Sequence, residues 1–79
     1  MLSKVEIDIL TQLFQDGMVD QMMSVTISDI SKRIGMNQPR VRANIKHLLS
    51  LNCVALGFKE KSSYTYFLTK IGQEKIPLK

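Results

Sequence analysis

The 79 residues are 44% apolar and carry eleven Lys or Arg against seven Asp or Glu, a formal charge of +4. That length gives one small domain, expected to run over residues 1–79, which buries only about 60% of its unfolded surface and has little room for a deep cleft. The apolar share excludes a disordered tail; no apolar run approaches the ~18 residues of a membrane span; the single Cys53 excludes an internal disulfide or a Cys-rich metal site.

The opening Ser3-Lys4-Val5-Glu6 pairs a Ser with a Glu three residues on, the signature of a capping box. An acid so early also interrupts the apolar stretch of a secretory leader, so export is not expected and a reducing cytoplasm is the expected setting. Val5, Ile9 and Leu13, with Leu10 and Phe14, recur at helical spacing, and Asp16-Gly17 stops the helix. With Ile7 the apolar arc covers about 200°, wider than the stripe of a helix that faces solvent on one side. Such a helix needs a second cover, from the C-terminal segment or from another subunit. A homodimer through this helix is one expectation.

Residues 18–25 form a connector rich in methionine (Met18, Met22, Met23), read as a lid on the core. Ser24-Val25-Thr26 reads as a short strand. Thr26 then caps a second helix, with Asp29 near the exposed first amides and Ile27, Ile30 and Ile34 as its inner stripe. Gly35 suits a left-handed cap. A third helix follows at once. Asn37 is its N-cap, and Pro39 is tolerated in a first turn. Val41, Ile45 and Leu48 point inward, and Asn52 takes the left-handed position after the end. Pro39, Arg40, Ala43, Lys46, His47 and Ser50 point away, flanked by Arg42 and Asn44.

The period then changes from 3.6 to 2. Val54, Leu56 and Phe58 alternate, and so do Tyr64, Tyr66 and Leu68 after a charged tip at 59–63. An antiparallel hairpin pairs Val54 with Leu68, Leu56 with Tyr66 and Phe58 with Tyr64, placing one apolar set on one face. A short helix or turn from Thr69-Lys70-Ile71 closes the chain before Pro77.

Charge follows this order. Residues 1–31 carry one base and five acids, a local −4; residues 32–79 carry ten bases and two acids, a local +8. A basic second half suits a polyanion, although solvated lysines alone account for it equally well.

Two short helices, a longer basic helix and a hairpin form the order of a winged helix-turn-helix, an α+β domain with three helices, a C-terminal wing and a possible terminal helix. The run Thr26-Ile27-Ser28-Asp29-Ile30-Ser31-Lys32-Arg33-Ile34-Gly35-Met36-Asn37-Gln38 carries the resemblance. It continues through Val41, Ile45, Leu48 and Val54 to Tyr66-Phe67-Leu68-Thr69-Lys70-Ile71-Gly72. Over nearly the whole chain this resembles the DNA-binding domains of MarR- and ArsR-type regulators. The long dimerising helices of the MarR group and the Cys and His pairs of metal-sensing ArsR members are missing, and Asn52 stands where such families often have Gly.

The resemblance implies a sequence-specific regulator of double-stranded DNA. Residues 38–51 would form the helix in the major groove and 54–69 the wing on the backbone or minor groove. Arg40 and Arg42 are candidates for bidentate contact to guanine, Gln38 and Asn44 for adenine. Pro39 and Ala43 let the helix approach closely. Lys32, Arg33 and Lys46 are candidate phosphate anchors, with Asn37 and His47 also on the expected surface. Lys59 and Lys61 at the wing tip reach the backbone, or form a plain charged turn. The alternatives are a protein-docking module and a DNA-binding component of a replication or partition complex. One His, one Cys and the absence of phosphate-binding glycine motifs leave no basis for an enzyme, a metal or a cofactor.

Overall fold

Local capping sets most of the element boundaries. The computed structural model describes residues 2–77. In it, Ser3 opens helix α1 (Lys4–Gln15) through a complete capping box. The Ser3 N–H donates to Glu6 Oε1 at 2.9 Å, and the Glu6 N–H donates to Ser3 Oγ at 3.2 Å. Asp16 ends the helix, and Gly17 follows at φ +75°. There the Gly17 N–H donates to Phe14 and the Met18 N–H to Leu13, closing a Schellman motif.

The connector forms a 3-10 turn over Gln21–Met23, capped by Asp20. Only Met18 joins the core. Met22 is 83% exposed and Met23 is 48% exposed, so the expected methionine lid reduces to one residue. The turn leaves the other two exposed ahead of the short strand β1 (Val25–Thr26).

Thr26 caps α2 (Ile27–Ile34) by accepting the Asp29 N–H at 3.2 Å, and Gly35 ends it at φ +67°. Asn37 caps α3 (Gln38–Ser50) by accepting the Arg40 N–H at 3.0 Å. The expected inner stripe of α3 holds: Val41, Ile45 and Leu48 are all at most 1% exposed. After Leu51, Asn52 adopts φ +61°. A second Schellman pair runs from the Asn52 N–H to Leu49 and from the Cys53 N–H to Leu48.

Strands β2 (Val54–Leu56) and β3 (Thr65–Leu68) pair antiparallel in the expected register, Val54 with Leu68 and Leu56 with Tyr66. Strand β1 pairs on the other side of β3, so the sheet has the order β1-β3-β2 and β3 is its centre. Helix α4 (Lys70–Glu74) follows, capped by Thr69.

One expected pair is corrected. Phe58 does not pair with Tyr64. The ladder holds through Gly57, whose N–H donates to Thr65 at 2.8 Å, then resumes at Glu60 with Ser63. Phe58 and Lys59 together oppose Tyr64, so one extra residue is accommodated as a bulge. The Thr65 hydroxyl causes the diversion by donating to the Phe58 carbonyl, and it also meets Ser24 Oγ at 2.8 Å. Gly57 is required there, because a Cβ would collide with the Ser24 side chain. The apolar alternation consequently fails toward the tip: Leu56, Phe58 and Tyr64 are exposed, while Val54 and Leu68 are buried.

The core joins Ile9, Leu10 and Leu13 of α1 to Ile30, the α3 stripe, Cys53, Val54 and Leu68. The wide arc of α1 is covered within the chain by α2 and α3, by β3 and by α4. Phe14 remains 48% exposed. Cys53 is fully buried, as expected of a small hydrophobe, and burial raises its thiol pKa.

Candidate nucleic-acid interface

Helix α3 presents a face that nothing in the chain covers. Pro39, Ala43 and Lys46 are exposed there, opposite the buried stripe. Small residues at its centre leave the backbone accessible to a close partner. Arg40 and Arg42 are both exposed and enter none of the ion pairs among the described residues.

The two arginines lie on different flanks. Two residues correspond to about 200° around a helix. Arg42 and Gln38 face the wing and line an open groove of about 280 Å³ together with Ser28, Ser62, Ser63 and Tyr64. Arg40 lies on the flank toward Asn44 and His47. Asn44 is not free, because its side-chain amide donates to the Arg40 carbonyl one turn back at 2.8 Å. Asn37 likewise uses its side-chain oxygen as a cap.

His47 is half-exposed, and its ring reaches toward α1. Its Nδ1 is hydrogen-bonded to the Glu6 carboxylate on α1. Glu6 is only 4% exposed. Burial raises its pKa, but the Ser3 N–H and the His47 ring together outweigh that and hold it below the usual carboxylate range. His47 is therefore a brace between α1 and α3, a role that the sequence pattern did not reveal.

Arg33 is also engaged. Its guanidinium pairs with Asp16 at 2.8 Å and with Asp29 at 3.5 Å. The Asp16 hydrogen bond is the largest cause of its raised pKa. Gln12 donates to the same Asp16 oxygen at 2.9 Å, so the end of α1 is tied to α2. Lys32, one residue earlier, is exposed and outside these pairs.

At the wing tip Lys59 lies over the Tyr64 ring, 5.2 Å from its centroid. Lys61 occupies a two-residue turn at φ +56°, closed by the mutual Glu60 and Ser63 hydrogen bonds. Sequence reasoning missed Ser28, Ser62, Ser63 and Tyr64 as lining residues: Ser28 comes in from α2, and the other three meet Arg42 only through the return of the wing. Among the described residues there is no cluster that could hold a metal ion, and no helix is long and apolar enough to cross a membrane.

No family model matches the chain, and no curated protein matches it. Solved structures do. TubR from Bacillus megaterium pBM400 superposes with a TM-score of 0.80 at 20% identity, over 92% of this chain and 80% of that one. The DNA-binding TubR fragment from Clostridium botulinum gives a TM-score of 0.78 at 29% identity, over 95% and 93%. A MepR mutant from S. aureus, bound to an oligodeoxyribonucleotide, gives 0.75 at 17% identity, over 92% of this chain and 51% of that one. The chain thus spans about half of MepR and most of the TubR structures. It has the α+β winged helix-turn-helix fold, with α2 and α3 as the helix pair and β2–β3 as the wing.

Proposed function

We propose that the chain is a sequence-specific regulator that binds double-stranded DNA through α3, with the wing on the backbone or minor groove. The observation that carries this reading is the outer face of α3. It combines small central residues, Pro39 and Ala43, with exposed cations at Arg40 and Lys46. A major groove about 12 Å wide admits one such helix. The descriptions of the C. botulinum fragment as DNA-binding and of MepR as bound to an oligodeoxyribonucleotide support it.

In this reading Arg40 reaches a base edge, Ala43 meets a thymine methyl, and Lys32, Lys46, Lys59 and Lys61 hold phosphates. A homodimer doubles the contacts, with half-sites about 34 Å apart. Phe14 on α1 supports self-association, as does the shallow apolar hollow bounded by Leu2, Leu51 and Ile71 beside Cys53. Sedimentation at tens of micromolar tests that part, and a clean monomer rejects it.

Selection of bound duplexes from a random pool, followed by a gel shift, tests the rest. Binding should weaken with salt at about −0.9 in the log–log slope per phosphate neutralised. Arg40→Ala should remove sequence preference while the circular dichroism spectrum stays unchanged. Retardation without preference assigns the chain to non-specific DNA binding in a replication or partition complex.

A second reading, a protein-docking surface, is favoured by the exposed Met22 and Phe58 beside one hollow of the wing. No retardation of any duplex at low salt decides for it.

A further inference from the structure

The groove between α2, α3 and the wing has a chemistry of its own. Gln38 and Arg42 come from α3, Ser28 from the first turn of α2, and Ser62, Ser63 and Tyr64 from the wing tip. No carboxylate lines it. Asp29 and Glu60 line the neighbouring hollow instead. The hydroxyls that donate inside the described residues belong to Thr11, Ser24, Ser31, Ser50, Thr65 and Thr69. Those of Ser28, Ser62, Ser63 and Tyr64 are left to turn toward the groove, and Arg42 enters no ion pair among the described residues.

Every polar group of this set can donate, and the groups converge from three elements. A guanine edge in the major groove also offers acceptors alone, O6 and N7, but one guanidinium fills them, whereas the oxygens of a phosphodiester accept from several donors at once. The Arg42 guanidinium can only donate. At about 280 Å³ the groove is open rather than enclosed. It suits one unit of a polymer that continues past it rather than an enclosed small ligand.

The geometry points to a binding site for a single backbone phosphate of one DNA strand, with Arg42 as its anchor and Tyr64 and Ser63 closing it from the wing. Arg42 then fixes register and does not read guanine, while Arg40, about 200° around the helix, is left to read sequence. This inference rests on the DNA-binding reading above. It adds which arginine reads and which holds.

Equilibrium binding of the full chain to a selected duplex and to a random duplex, across a salt series, tests it. Arg42→Ala should weaken both by the same factor and flatten the log–log salt slope by about 0.9. Arg42→Lys should restore the slope. On duplexes carrying one neutral methylphosphonate at successive positions, the wild-type chain should lose affinity at one wing-proximal phosphate in each bound site, and Arg42→Ala should be indifferent to that substitution. An Arg42→Ala chain that keeps its salt slope but changes base preference at one position overturns the inference and leaves the DNA reading standing. A wild-type chain that retards no duplex overturns the DNA reading itself.

Discussion

His47 lies on α3, the helix proposed to meet DNA, yet its imidazole is hydrogen-bonded to Glu6, the buried acid of α1. One carboxylate thus completes the cap of the first helix and braces the third. With Glu6 ionised and acceptor-only, His47 Nδ1 carries the hydrogen. The brace sets the position of α3 relative to α1, and with it the face that the arginines present.

The first prediction concerns acid. Glu6 titrates below its ordinary value in the folded chain, so it contributes stability that is fully present above the ordinary carboxylate range. That contribution is lost as pH falls through the lowered folded pKa. Urea midpoints measured from pH 7 to pH 3 should therefore drop more steeply for the wild type than for Glu6→Gln. Near neutral pH, Glu6→Ala should cost about 1–3 kcal/mol, combining a lost cap with an unpaired His47. Parallel acid limbs for wild type and Glu6→Gln would refute the role assigned to the carboxylate.

A second prediction separates Arg33 from its basic neighbours. Its guanidinium is held by Asp16 and Asp29, so it has less freedom to reach a phosphate than Lys46 has. Lys46→Gln should flatten the salt slope of DNA binding by about 0.9, as one lost phosphate contact requires. Arg33→Gln should leave the slope nearly unchanged and lower the melting temperature at low salt. Equal slope changes in the two variants would show that Arg33 leaves its acidic partners on binding.

The third prediction is steric. A Cβ on Gly72 would overlap the Cys53 carbonyl oxygen and come within 2.6 Å of Leu68 Cδ1. The first of these is backbone and cannot rotate away. Gly72→Ala should cost about 1–3 kcal/mol by overpacking. For a domain of this size, thermal melting should fall by about 4–8 °C for each kcal/mol. An unchanged melting temperature would mean that α4 moves off the sheet without penalty.

A fourth prediction uses the left-handed residues. Asn52 at φ +61° tolerates this conformation better than branched residues do. Asn52→Gly should leave stability equal or slightly higher, whereas Asn52→Val should lower it by about 1–2 kcal/mol. Lys61 at φ +56° has no such local aid, so Lys61→Gly should stabilise the wing tip by up to about 1 kcal/mol. Chemical denaturation reads both, and a destabilised Lys61→Gly would place a compensating contact on the lysine side chain.

The sequence by itself determined what depends on neighbours a few positions away. Ser3, Thr26 and Asn37 cap their helices through bonds spanning three residues. Gly35 and Asn52 take the left-handed conformation where their helices stop, and the period-2 pattern sets the Val54–Leu68 register. Helical spacing alone places Val41, Ile45 and Leu48 inside. Tertiary structure decided whatever joins distant positions. The Glu6–His47 brace spans 41 residues, and the Arg33–Asp16 tie spans 17. The bulge that exposes Phe58 depends on Thr65 reaching across the hairpin and meeting Ser24 from the connector. A helical wheel shows that Arg40 and Arg42 diverge, but only the return of the wing puts Ser63 and Tyr64 beside Arg42. Capping and periodicity act through short covalent distances, so they leave a local mark in the chain. Side-chain pairing across elements depends on how helices and strands dock in three dimensions, and no short stretch of sequence carries it.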